Sequence, residues 1–117
     1  MVITKEELER KYEQDPNVGY AYSKELDEKT KNLAITVEFN VVCNSSPYVG
    51  KDFSVLERIQ SYVKACGDTM DESMRHWGDH EHCINPMKVI ITNVDTDEEQ
   101  DITKEVLTDD LLNKMNY

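Results

Sequence analysis

An alternation of apolar and polar residues over 33–43 constrains the fold more than any other feature of this chain. Side chains of a β-strand point alternately to the two faces of a sheet, so a period of two predicts a strand with one buried face. The polar residues Thr36, Glu38 and Asn40 would then face solvent. The apolar residues that would share the buried face are Leu33, Ile35, Val37, Phe39 and Val41.

Two further segments are expected to complete an antiparallel sheet. Residues 18–26 alternate more weakly, and the polar stretch 27–32 predicts a turn. A hairpin of 18–26 with 33–43 is therefore the simplest topology. Residues 87–94 include the apolar run 89–91, which indicates a strand covered on both faces and hence central in the sheet.

Helices are expected between and before the strands. Thr4 with a glutamate three residues later fits a capping box that opens a short helix. Asp52 or Ser54 could cap a second helical segment, over 53–77, where apolar residues recur at helical spacing. Gly67 and a second capping box beginning at Thr69 leave open either one kinked helix or two shorter ones.

A closing helix is predicted over 102–115, with Thr103 as its cap. The alternative is that 101–103 continues a hairpin and a shorter helix follows. With 117 residues the chain fits one domain, spanning 1–117. The expected fold is α+β: a small, mainly antiparallel sheet of three to four strands, packed by one long or kinked helix and a C-terminal helix. The residues expected to pack the closing helix inward are Val106, Leu107, Leu111 and Met115.

Acidic residues are concentrated in the second half of the chain. The sequence holds 24 acids and 13 bases, for a net charge of -11, and residues 65–117 contain 13 of the acids but only 4 of the bases. Between 95 and 110 there are eight acids and one base, Lys104. A surface of this charge repels nucleic-acid backbones and anionic membranes, and it attracts basic surfaces.

The acidic block over 95–110 predicts a protein-binding surface. The expected partner is a basic, nucleic-acid-binding protein, whose lysines and arginines would meet carboxylates in place of phosphates. Compact acidic proteins of this size occur among phage-encoded DNA mimics that inhibit restriction or CRISPR systems, a parallel of composition that covers no motif. The candidate partner-binding residues are Asp95, Asp97, Glu98, Glu99, Asp101, Asp109 and Asp110, and the residues that could extend them are Asp68, Asp71, Glu72, Asp79 and Glu81.

Other interpretations of the acidic block are weaker. Acidity that serves only solubility is the plain alternative. Carboxylates at alternate positions over 95–101 resemble the spacing of a calcium loop. That register fails, because position 100 is glutamine where glycine is needed, and position 106 is valine where a bidentate glutamate is needed.

A second candidate function is metal binding, because three histidines and a cysteine lie within 76–83. Their spacing matches no standard zinc motif. A third candidate is an oligomeric accessory protein that uses a sheet edge or an apolar helix face, although the oligomeric state itself is left open. The candidate metal ligands are His76, His80, His82 and Cys83.

No catalytic or cofactor function is expected. The chain has no glycine-rich phosphate loop, nucleophile elbow or dinucleotide fingerprint, so neither an enzyme nor a bound cofactor is predicted. The three cysteines fit no disulfide framework, and no apolar run approaches the length of a membrane span. These features, with a charged N-terminal segment unlike a signal peptide, predict a cytoplasmic protein that binds neither membrane nor nucleic acid directly.

Overall fold

A computed structural model describes residues 1–40, 52–76 and 85–115, except for the side chains of residues 75 and 76. It confirms the α+β class and the expected combination of a small antiparallel sheet, a long helix and C-terminal helical structure. None of the described helices has the length and apolar content that crossing a bilayer requires. The elements are α1 (Lys5–Glu9), α2 (Lys24–Thr30), β1 (Leu33–Phe39), α3 (Val55–His76), β2 (Pro86–Asn93), β3 (Glu99–Asp101), α4 (Thr103–Val106) and α5 (Asp109–Lys114).

The sheet has the strand order β1-β2-β3, so the prediction that 87–94 forms the central strand is confirmed. Val89 and Ile91 of β2 are fully buried, and Ile90 between them is half-buried on the opposite face. The period of two in β1 is also confirmed, since its odd-numbered residues are half-buried and its even-numbered residues are exposed. The apolar run in β2 thus belongs to a strand whose one face is fully buried in the core and whose other face is partly buried at Ile90.

The prediction of a strand over 18–26 and a turn over 27–32 is wrong, because α2 begins at Lys24. Ser23 is buried, and its hydroxyl accepts a hydrogen bond from the backbone N–H of Leu26 at 3.2 Å, which caps the helix. Leu26 is fully buried in the core, whereas Tyr20 is 66% exposed. The alternating residues before α2 therefore have no buried sheet face to occupy, and the expected hairpin with β1 does not form.

Residues 55–76 form one continuous helix, α3, and its start is capped by Ser54 as expected. The Ser54 hydroxyl accepts from the backbone N–H of Glu57 at 3.1 Å. The proposed second capping box is wrong, because the Thr69 hydroxyl donates to the carbonyl of Ala65 within the helix. Gly67 does not interrupt the helix, since the buried stripe continues on both sides and offsets the ~1 kcal/mol cost of a helical glycine. The buried apolar residues of the stripe are Val55, Ile59, Val63, Cys66 and Met70.

The C-terminal part divides into α4 and α5, where a single closing helix was the first expectation. The chain leaves α4 at Leu107, and Thr108 caps α5 by accepting from the backbone N–H of Leu111 at 3.3 Å. Thr103 does not cap a helix; instead it contacts β2 through Val89. The alternative, in which 101–103 continues a hairpin and one shorter helix follows, is closer but also differs, because β3 ends at Asp101 and two short helices follow. The inward residues are as predicted: Val106, Leu111 and Met115 are buried, and Leu107 packs beside them.

A buried polar network joins α2 to the start of α3. Arg58 donates through Nη1 to Oδ1 of Asp27 at 2.7 Å and to the hydroxyl of Thr30 at 3.0 Å. Its Nε lies 3.9 Å from Oδ2 of Asp52, whose other carboxylate oxygen accepts a 2.7 Å hydrogen bond from Ser61. Arg58 Nε and Asp52 Oδ2 are both buried without a hydrogen-bond partner. Burial raises the pKa of Asp52 above its ordinary value, so this carboxylate depends on the Arg58 charge.

We predict that Arg58→Met lowers the free energy of unfolding by about 3 kcal/mol near neutral pH, because Asp52 becomes an uncompensated buried charge. The loss should shrink on acidification. Below its ordinary pKa, the Asp52 carboxyl is protonated in both the folded and the unfolded state and costs no stability. The loss of stability grows as the pH rises from the ordinary pKa through the raised folded-state pKa. Urea unfolding curves at neutral pH and at about pH 4 measure both effects.

Lys64→Met is the matched control. Lys64 pairs with Asp68 at 2.8 Å on the exposed side of α3, one turn apart. Loss of such a surface pair should cost less than about 0.5 kcal/mol. A loss in Arg58→Met no larger than the loss in Lys64→Met would show that the buried network contributes nothing to stability.

Candidate functional site

The turn between β2 and β3 is fixed by hydrogen bonds centred on Asn93. The backbone N–H of Asn93 donates to the carbonyl of Glu98 at 2.9 Å, and the N–H of Asp97 donates to the carbonyl of Asn93 at 2.8 Å. The side-chain oxygen of Asn93 accepts from the N–H groups of Asp95 and Thr96 at 3.0 and 3.3 Å. Asp97 has a φ of +59°, the left-handed conformation that closes such hairpins. The conformation of the acidic turn is therefore fixed by these hydrogen bonds.

Strand β3 places its acids on the outer face of the sheet. Glu99 lies opposite Thr92 and Asp101 lies opposite Ile90, while Gln100 between them lies opposite the buried Ile91. Because side chains of a strand alternate between its two faces, Glu99 and Asp101 lie on one face of β3 and Gln100 lies on the other. Residues 95–101 form an acidic hairpin, defined here by Asp95, Asp97, Glu98, Glu99 and Asp101, all of which are exposed.

Gln100 binds the N-terminal segment to β3. Its side-chain amide donates to the carbonyl of Ile3 at 3.1 Å, and its side-chain carbonyl accepts from the N–H of Ile3 at 2.9 Å. Nearby, the amino group of Met1 lies 3.1 Å from the Glu98 carboxylate, an exposed ion pair of small energetic value. The acidic hairpin consequently has an inner side that contacts the N-terminal segment and an outer side that is exposed among the described residues.

Asp101 has the most specific local contacts of the hairpin carboxylates. At the far end of the hairpin the pKa of Asp101 is lowered, chiefly because the carboxylate accepts a 2.6 Å hydrogen bond from the Thr103 hydroxyl and another from the Thr103 N–H. Lys88 and Lys104 lie near Asp101 and lower its pKa further, and they line a shallow depression of about 400 Å³ beside it. Asp101 therefore stays ionised and is partly compensated by neighbouring lysines.

Asp109 and Asp110, which the sequence places in the same block, lie on a different element. They occupy the first turn of α5, which packs on α3 through its buried Leu111. Carboxylates there are favourable to the helix dipole, and Asp110 also pairs with Lys114 at 3.2 Å. The structure therefore brings together five of the seven candidate residues on one hairpin and assigns the other two a local structural reason.

The proposed extensions of the acidic surface are only partly supported. Glu72 is exposed on α3, and Asp68 is exposed but paired with Lys64. Asp71 is buried, so its inclusion in an exposed surface is wrong. Asp79 and Glu81 lie outside the described residues.

The predicted metal ligands His80, His82 and Cys83 also lie outside the described residues, as does the side chain of His76, so metal binding there stays a prediction. Within the described part of the chain, no three histidine, cysteine, aspartate or glutamate side chains are grouped to hold a metal ion. Cys66 is buried and is not in a disulfide within the part of the chain that the structure describes.

A cleft of about 610 Å³ lies between residues 10–16 and α2, and the sequence did not predict it because α2 was not expected. The guanidinium of Arg10 lies 5.0 Å from the centre of the Tyr12 ring, and the Tyr12 hydroxyl donates to Glu7 at 3.2 Å. Lys29 also pairs with Glu7, at 3.3 Å. The pKa of Glu7 is lowered, chiefly by this contact with Lys29 and also by the hydrogen bond from Tyr12. The lining of the cleft holds three basic and four acidic side chains, so the cleft does not favour a ligand of one sign.

Comparison with known proteins identifies no relative. A scan of family models found no match, and searches of curated proteins and of solved structures found no significant similarity to this chain. The function therefore has to be argued from the geometry and charge of the molecule.

We predict that Asp97→Gly raises the free energy of unfolding by about 0.5–1 kcal/mol, because glycine adopts a positive φ without the steric cost that a side chain carries. Asp97→Ala, which removes the same charge but keeps a Cβ, is the control and should not stabilise. Thermal unfolding of the three proteins measures the difference. Equal stability of the glycine and alanine variants would mean that charge, rather than the turn conformation, determines the effect.

Proposed function

We propose that this protein binds a basic surface of another protein through its acidic hairpin, and that it thereby covers a surface that would otherwise bind nucleic acid. The observation that carries the proposal is the placement of five exposed carboxylates on one hydrogen-bonded hairpin. A fixed turn loses less conformational entropy on binding than a flexible acidic tail would. The function is that of an inhibitor, comparable in composition to phage-encoded DNA mimics.

The electrostatics of the whole chain support this choice. A net charge of -11 speeds association with a cationic partner and disfavours anionic ones. Individual exposed ion pairs contribute only about 0–1 kcal/mol, so affinity must come from several carboxylates acting together. Asp95, Glu99 and their neighbours on the hairpin satisfy that requirement. The setting we propose is reducing and cytoplasmic, because the three cysteines of the sequence fit no disulfide framework.

The proposal predicts that binding depends on salt and on the hairpin. In affinity capture from a host lysate, the bound protein should be retained at about 50 mM salt, released near 200 mM salt, and displaced by duplex DNA or by RNA. Neutralising four hairpin carboxylates should weaken binding about thirtyfold at low salt, since about 0.5 kcal/mol is lost for each. The hairpin variant carries Asp95→Asn, Asp97→Asn, Glu98→Gln and Glu99→Gln.

A second variant with the same change of charge separates a local site from a general charge effect. Its substitutions are on exposed glutamates outside the hairpin, so it should bind nearly as well as the unmodified protein. Equal weakening in both variants, or a complex insensitive to both salt and nucleic acid, would overturn the proposal. The control variant carries Glu6→Gln, Glu9→Gln, Glu13→Gln and Glu25→Gln.

A further inference from the structure

One face of the three-stranded sheet lies outside the core. The core is on the other face, where Ile35 and Val37 of β1 lie opposite Ile91 and Val89 of β2. Because side chains alternate along a strand, the residues between these positions point away from the core. We call this side the outer sheet face, and the residues that define it are Thr36, Glu38, Lys88, Ile90, Glu99 and Asp101.

The outer sheet face has an apolar centre and acidic sides. Ile90 is half-buried on the central strand, between Thr36 on one neighbouring strand and Asp101 on the other. In the next row toward the turn, Thr92 lies opposite Glu99. Thr36, Glu99 and Asp101 are exposed, and the threonines are short, so another surface can reach Ile90. An apolar centre within a polar rim is the usual arrangement of a protein–protein interface.

The charges of the outer sheet face select the sign of its partner. Three of its six defining residues are acids, and one, Lys88, is a base. Glu99 and Asp101 also belong to the acidic hairpin, so the face and the hairpin form one continuous surface. A nucleic acid, an anionic membrane or a second copy of this chain would bring negative charge against these carboxylates. A basic protein surface is the occupant that complements them.

We propose that the basic protein partner contacts the outer sheet face as well as the acidic hairpin, and that it sets an apolar or aromatic side chain against Ile90. This inference rests on the proposed function and extends the surface that performs it. Lysines or arginines of the partner pair with Glu38, Glu99 and Asp101 around the apolar contact. The partner is therefore a basic surface with an apolar residue among its charges, which a uniformly cationic surface lacks.

The apolar contact gives the acidic surface its selectivity. Exposed ion pairs are individually weak, and any cationic surface can form them. A side chain that covers Ile90 also excludes water from the pairs around it, which strengthens them. The burial of apolar surface is not screened by salt, whereas the attraction of exposed charges is. The hairpin then attracts the partner, and the sheet distinguishes it from other basic proteins.

The test uses two short synthetic peptides of equal charge, one alternating arginine with valine and the other alternating arginine with serine. Isoleucine methyl and backbone amide NMR signals of the full chain are followed at about 50 mM salt. The arginine–valine peptide should shift the Ile90 methyl signal together with the hairpin amides. The methyl signal of Ile91, which is buried on the opposite face, should stay unchanged. This peptide should also bind at least about fivefold more tightly than the arginine–serine peptide.

The outcomes separate this inference from the proposed function. Shifts confined to the hairpin amides would overturn the contact at Ile90 and leave the proposed function standing. Equal affinity of the two peptides would do the same, because the apolar contact would then contribute nothing. A hairpin whose amides do not respond to either peptide would overturn both the proposed function and the inference.

Thr36→Lys tests the outer sheet face without altering the hairpin. It sets a cation beside Ile90 at an exposed position, so the arginine–valine peptide should bind at least about tenfold more weakly. Asn17→Lys makes the same change of charge at an exposed position before α2 and should weaken binding less than about twofold. An equal loss in the two variants would contradict the proposal. An unchanged Ile91 methyl signal reports that the sheet of each variant is intact, and the comparison of the two peptides depends on neither variant.

Discussion

Pairing of β2 on both sides is the interaction on which the rest of the structure depends. One edge of β2 fixes β1, and the other fixes the acidic hairpin. Its carbonyl at Val89 accepts from the N–H of Ile102 at 3.0 Å, and its N–H at the same residue donates to the Thr103 hydroxyl at 3.0 Å. The start of α4 is thereby positioned by the same strand. Burial of Val89 and Ile91 against the helices then joins the sheet to the core.

Periodicity was sufficient to predict the elements that bury a regular face. The alternation in β1 reflects burial of one face of that strand. The apolar run in β2 reflects burial of one face and partial burial of the other. The same reasoning failed at 18–26, because the alternation there includes the exposed Tyr20, and the burial of one residue, Leu26, with a cap at Ser23 determines the helix. Such a short helix depends on tertiary contacts that no local pattern records.

The sequence indicated which segment carries the candidate site, but it did not predict how the residues of that segment are arranged in space. Counting charges identified residues 95–110 as one block, and the fold divides this block between a hairpin and α5. The division arises at Thr108, which caps a new helix, and at Asp101, which turns from the strand toward Thr103. The contact between Gln100 and Ile3 joins residues nearly a whole chain apart, so no spacing rule could have predicted it.

Gln100 also limits how acidic this hairpin can become. An amide both donates and accepts, and Ile3 uses both functions. A glutamate at position 100 could still accept from the Ile3 N–H, but it would leave the Ile3 carbonyl without its donor and would set a charge beside the buried Ile91. Substitution can therefore add or remove negative charge on one side of β3 while folding holds the other side neutral. The charge of the outer face can therefore change without loss of the fold, whereas the charge of the inner face cannot.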